Sequence, residues 1–176
     1  MVDRRNLVLI GFMGTGKSTV GRQCAARRKV RFCDSDHEIE RRAGCSIAQL
    51  FATQGEIAFR QLEREVIADL AHPRGMVLAT GGGVPLDPRN AACLRAGGLV
   101  VLLKAAPEVI LRRIGHAHSR PLLAQAPDPR ARIMELLAER EEAYRAAAHC
   151  CVDTTGRSTA DVVTSILMLY EATAPI

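Results

Sequence analysis

Long apolar runs are missing from this chain of 176 residues. None approaches the roughly 20 residues that a membrane-spanning helix needs, so no helical span is expected. Aromatic residues are scarce at 3%, too few for the stacking platforms that hold single-stranded nucleic acids. Lysine is scarce as well: Lys17, Lys29 and Lys104 are the only three, and arginine carries the rest of the fixed positive charge. The six cysteines (Cys24, Cys33, Cys45, Cys93, Cys150 and Cys151) form no Cys-x-x-Cys pair and no zinc-like spacing. The chain exceeds a typical disulfide-stapled module, so most of them read as buried thiols. Repeats, linkers and low-complexity tracts are absent, which leaves a single domain over residues 1–176.

What is present is ordinary globular material, with 48% hydrophobic and 24% charged residues. A net charge of +5 favours anionic partners, and a nucleotide with a small acid fits at least as well as nucleic acid. The opening "MVDRRNLVLIGF" places basic residues before an apolar patch, faintly as a secretory signal does. The patch is too short, and it runs into the glycines of residues 11–18 instead of a small-residue cleavage site. It reads as a first strand, and the protein as cytoplasmic.

Short apolar runs alternate with helical periodicity. Strands are expected at 7–10, 30–36, 76–80, 99–104 and 150–153. Helices are expected at about 17–28, in a short stretch closing at Gly44, at 47–55 behind a Ser46 cap, and at 56–71. Others follow at 87–98, 107–114, about 130–147 and about 158–170. Residues 115–129, with prolines at 121, 127 and 129, are too broken for a core element and long for a connection. Continuous apolar strands between helices indicate an α/β fold, a three-layer α/β/α sandwich around a five-stranded parallel sheet.

One scarce lysine has a notable address. Gly11-Phe-Met-Gly-Thr-Gly-Lys-Ser18 fits G-x-x-x-x-G-K-[ST] between a strand and a helix. The glycines let the backbone curl, so that the N–H groups of Gly14, Thr15, Gly16, Lys17, Ser18 and Thr19 cradle phosphate oxygens at a helix N-terminus. Lys17 places its charge on the outer phosphates, and the Ser18 hydroxyl is suited to ligate Mg²⁺. The ligand is a nucleoside triphosphate.

P-loop proteins usually hold the metal with a carboxylate at a strand end. Neither "MVLATGGG" nor "LVVLLKAA" supplies an Asp, and no Asn/Thr-Lys-x-Asp guanine signature occurs, which weighs against a GTPase. The acids come from "CDSD". Asp34 and Asp36 can project together from a strand end, one toward the metal's water shell and the other toward a substrate hydroxyl. The same spacing also fits a helix N-cap pair.

The combination of "GFMGTGKST", "CDSD", "SIAQLFATQGEIAFR", "ATGGG" and "SRPLL", in that order over residues 7–153, resembles the shikimate kinase family. The resemblance implies a small P-loop kinase with a sheet like that of nucleoside monophosphate kinases. It also implies phosphorylation of the 3-hydroxyl of shikimate by MgATP, with an acceptor-binding helical segment at about 36–71 and a mobile lid at about 115–129. Catalysis would fall to Lys17, Asp36 and Arg120. Ser18 would ligate Mg²⁺ directly and Asp34 through water, while Asp36 would orient or deprotonate the acceptor hydroxyl. Arg60, Arg140 and the backbone of Gly81, Gly82 and Gly83 would hold the acceptor. Guanidinium forks are the best clamps for a carboxylate, Glu63 is placed to orient Arg60, and glycines admit close approach to the main chain. Arg120 would bring a cation to the transferring phosphoryl, and Arg113 and Arg157 would flank adenine. The family's frequent adenine-loop proline is missing from "DTTGRST".

Two other readings share parts of this pattern. A P-loop kinase for another small hydroxyl acceptor, such as gluconate or a nucleotide, would not need the arginine clamp. A non-catalytic ATP-binding regulator would be expected to lose Asp36 or the lid arginine, and both are present. His116 and His118 form an H-x-H pair with no evident third ligand. The partners expected are ATP and shikimate for a monomer that binds neither nucleic acid nor membrane.

Overall fold

Successive side chains of a strand point to opposite faces of a sheet, and here both faces are apolar. The computed structural model describes residues 5–115, 123 and 126–173. Its five strands are β1 (Asn6–Ile10), β2 (Phe32–Asp34), β3 (Val77–Ala79), β4 (Gly98–Lys104) and β5 (Cys150–Asp153). They form one sheet in the order β2-β3-β1-β4-β5 with every pair parallel. Parallel neighbours require crossover connections. The helices that supply or follow them are α1 (Lys17–Arg28), α2 (Ser35–Ala43), α3 (Ile47–Leu70), α4 (Pro88–Gly97), α5 (Pro107–Ile114), α6 (Pro129–Ala147) and α7 (Thr159–Ala172).

Leu7 and Leu9 of β1 face α1 and α7, in a cluster with Cys24, Val163 and Ile166. Val8 and Ile10 face the opposite way, in a cluster with residues of α3, α4, α5 and α6. Side chains buried this completely contribute about 1.5–3 kcal/mol each. Asn6 is fully buried yet satisfied. Its amide donates to the carbonyls of Leu70, Ala71 and His72, and its oxygen accepts from the N–H groups of Arg74 and Met76. It thereby ties the end of α3 to the start of β3, a role its sequence position does not announce.

The strand expected at 30–36 is shorter than its pattern suggested. The Asp34 carboxylate accepts the Asp36 N–H at 3.1 Å and starts α2 at Ser35, so Asp36 sits in a first helical turn. The helix pair expected around Gly55 is present as one continuous run broken at that glycine, whose φ is 79°. A Ser46–Gln49 capping box opens it. The thiols differ from expectation too. Cys24 and Cys33 are buried, Cys45, Cys93 and Cys150 are half-buried, and Cys151 is exposed, all unpaired. Cys150 and Cys151 are adjacent on β5 and point to opposite faces, Cys150 packing against the cluster of Leu7 and Leu9. Among the described residues no helix is long and apolar enough to cross a membrane.

Candidate active site

β1 ends at Ile10, and the chain must reverse into α1 without losing its backbone donors. Gly14 and Gly16 make this possible, with φ of 75° and 97°, a region that a β-carbon disfavours. The curled loop and the N-terminus of α1 face a cleft of about 540 Å³, lined by residues 13–20, Asp34, Asp36, Thr80, Gly81, Gly82, Arg113, Thr154 and Arg157, among others. Lys17 is buried, and its Nζ donates to the Gly11 and Phe12 carbonyls at 2.9 and 2.8 Å. Its ammonium is thus held over the phosphate cradle.

Beside Lys17 the Ser18 hydroxyl donates to Asp34 Oδ2 at 2.7 Å. An adjacent hydroxyl and carboxylate form the oxygen-only donor set that a hard divalent cation prefers. Among the described residues no cluster of three or more His, Cys, Asp or Glu could hold a metal. A cation at Ser18 and Asp34 therefore needs further oxygens from phosphate and water, which is the usual manner of Mg²⁺. Asp36 lies deeper. Burial pushes its carboxyl up to about 6, neighbouring Asp34 adds to the effect, and Lys17 opposes it.

Gly81 donates its N–H to the Ser35 hydroxyl at 2.9 Å, which draws the glycine turn onto the start of α2. A Cβ at Gly81 would collide with Asp36 Oδ1. At Gly82 the same position lies 3.8 Å from Arg140 Nη1, and at Gly83 it lies 3.1 Å from Arg60 Nη1. The two guanidiniums and the carboxylate therefore converge on one bare stretch of backbone. Arg60 is oriented by Glu63 at 2.9 Å and by Glu56 at 3.3 Å. Burial pushes the Glu63 carboxyl up against the pull of Arg60. Phe59, its ring 4.5 Å from that of Phe51, lies under the Arg60 guanidinium at 5.1 Å. Gly81→Ala is expected to displace Asp36 and lower kcat/KM for the acceptor by about 100-fold, with KM for the nucleotide little changed. Steady-state kinetics with each substrate varied in turn checks this.

The structure brings most of the expected site residues together. Arg113 lines the cleft while donating to the Thr154 hydroxyl and carbonyl at 2.8 and 2.9 Å. Arg157 also lines it, with its guanidinium bonded to Ser165 and the Asp161 carbonyl of α7. His37 is exposed. Arg120, His116 and His118 lie outside the described residues. Two residues escaped the sequence reading. Thr154 is buried and joins the P-loop, at the Thr15 carbonyl, to the end of β4. Tyr144 is buried and donates to the Gly82 carbonyl at 2.8 Å. Its spacing four residues beyond Arg140 was the available signal.

This geometry can hold a triphosphate and present a small anionic acceptor to its outer end. Residues 13–171 match the family model described as shikimate kinase. The chain belongs to the shikimate kinase family. A shikimate kinase of Geobacter sulfurreducens is 51% identical over 164 residues, 93% of this chain and 90% of its own length. One of Caldanaerobacter subterraneus subsp. tengcongensis is 45% identical over 166 residues, 94% of this chain and 96% of its own. Among solved structures, the shikimate kinase from Acinetobacter baumannii in complex with shikimate superposes with a TM-score of 0.88 at 39% identity. That match covers 96% of this chain and 93% of the other. The family is one of kinases that use ATP, and its fold is the one described above.

Proposed function

We propose that this chain transfers the γ-phosphoryl group of ATP to the 3-hydroxyl of shikimate, giving shikimate 3-phosphate and ADP. The observation that carries the reading is the convergence of Arg60 and Arg140 on the Gly81–Gly83 backbone beside Asp36. Two guanidiniums grip the acceptor carboxylate. The glycines let its ring approach the main chain, and Asp36 receives the reacting hydroxyl. Residues 36–71 supply Asp36 and Arg60 to this acceptor wall, and Gly81–Gly83 and Arg140 complete it.

The reaction then needs little covalent help. In a loose phosphoryl-transfer transition state, positioning and charge neutralisation account for most of the rate. The P-loop N–H groups and Lys17 hold the phosphates. Ser18 and Asp34 would hold Mg²⁺, which would supply charge neutralisation at the phosphate oxygens. Asp36 must be ionised to accept the hydroxyl proton or its hydrogen bond, which it is above about pH 6. Arg113 and Arg157 border the adenine end.

ADP release with MgATP tests the reading, using shikimate, gluconate, nucleoside monophosphates and no acceptor in parallel. Shikimate alone is expected to stimulate turnover. Stimulation by another acceptor instead would keep the P-loop and remove the clamp assignment. Arg60→Ala is expected to raise KM for shikimate about 100-fold, because a charge-assisted clamp is lost, with KM for ATP unchanged. Equal effects on both substrates would contradict it.

A further inference from the structure

Arg140 and Tyr144 are one helical turn apart and share a face of α6. The Tyr144 hydroxyl donates to the Gly82 carbonyl at 2.8 Å. The Arg140 guanidinium lies beside the same phenol, acting against the burial that pushes its pKa up. Arg140 also sits over the Phe12 ring at 5.4 Å. One phenol oxygen thus touches both halves of the acceptor site, the glycine backbone and one arm of the arginine clamp.

A peptide group is planar and trans, so its carbonyl and the following N–H point in opposite directions. Fixing the Gly82 carbonyl on Tyr144 therefore fixes the Gly83 N–H away from α6. Glycines left to themselves would sample many orientations here. Tyr144 is packed in the core at 4% exposure and also borders a pocket of about 340 Å³ lined by Phe12, Leu103, Met134 and Leu137 among others. The hydroxyl bond is the directional restraint.

We infer that Tyr144 is a positioning residue for the acceptor, setting the Gly82–Gly83 peptide and the Arg140 guanidinium at the spacing that a small carboxylate requires. The inference rests on the acceptor reading above. It differs from a purely structural role in what it affects: the acceptor half of the site responds, and the nucleotide half does not.

Tyr144→Phe removes only the hydroxyl and leaves the Gly82 carbonyl without its donor. KM for shikimate is expected to rise about tenfold, with KM for ATP within about twofold of the parent. A structural role would lower the melting temperature and move both KM values together, and that result, or no change in either KM, overturns the inference. A second measurement covers a variant that fails to fold. The chain has two tyrosines, so the parent protein labelled with 3-fluorotyrosine gives two ¹⁹F resonances, assigned with Tyr170→Phe. Shikimate is expected to shift the Tyr144 resonance and leave that of Tyr170, which packs beneath Arg28 on the opposite face of the sheet. An unmoved Tyr144 resonance overturns the inference. Failure of the parent to turn over shikimate at all would instead overturn the functional reading, and this inference with it.

Discussion

Lys17→Met is expected to lower kcat on the order of 10³-fold, the loss seen when a preorganised donor to developing charge is removed. The side chain is buried and fixed by two carbonyls of its own loop, so its charge is in place before substrate arrives. Water cannot substitute readily in such a position, and methionine fills the volume without the charge. Binding of the nucleotide should suffer less, because backbone N–H groups and the helix terminus remain. Single-turnover chemistry with saturating MgATP separates the two effects. A kcat within about tenfold of the parent would mean that the lysine serves ground-state binding alone.

Asp36→Asn is expected to have an effect of similar size, about 10²–10⁴-fold in kcat, if the carboxylate takes the acceptor proton. An effect near the lower end would favour orientation over proton transfer. The same substitution has a second expected consequence. The Asp36 carboxyl ionises near 3.8 when unfolded and near 6 in the folded chain. The folded state therefore resists the charge, and the associated stability is present below about pH 4 and lost as pH rises to about 6. At one pKa unit per 1.36 kcal/mol, the deficit above that window is about 3 kcal/mol at most. Asp36→Asn should thus melt at a higher temperature than the parent at pH 8 and differ little from it at pH 4. For the parent, kcat/KM for shikimate should fall below about pH 6, in the direction set by protonation of Asp36. A variant less stable than the parent at pH 8 would contradict this account of the carboxylate.

Some of this site was legible in the chain because local rules determine it. The P-loop spacing requires its glycines, and α1 begins at Lys17 as its pattern implies. Pro107 starts α5 and Ser46 caps α3, since capping chemistry acts within one turn. Other features depend on contacts distant in sequence. The strand at β2 ended early because the Asp34 carboxylate caps α2, so the cap reading of that acid pair is the one the structure shows. Asn6 and Tyr144 act on backbone carbonyls more than 60 residues away, and no periodicity encodes such a bond. The thiols were misjudged because composition does not say which face a residue occupies: Cys150 packs against the core while its neighbour Cys151 is exposed.

The most direct measurement is the site of phosphorylation in the product formed from MgATP and shikimate, read by ³¹P–¹H correlation. Phosphorus coupled to the proton on carbon 3 is the expected result, because in the proposed arrangement the two arginines would fix the carboxylate and leave that hydroxyl at Asp36. Phosphorus at another ring position, or free orthophosphate alone, would contradict the arrangement of clamp and carboxylate on which the proposed function rests.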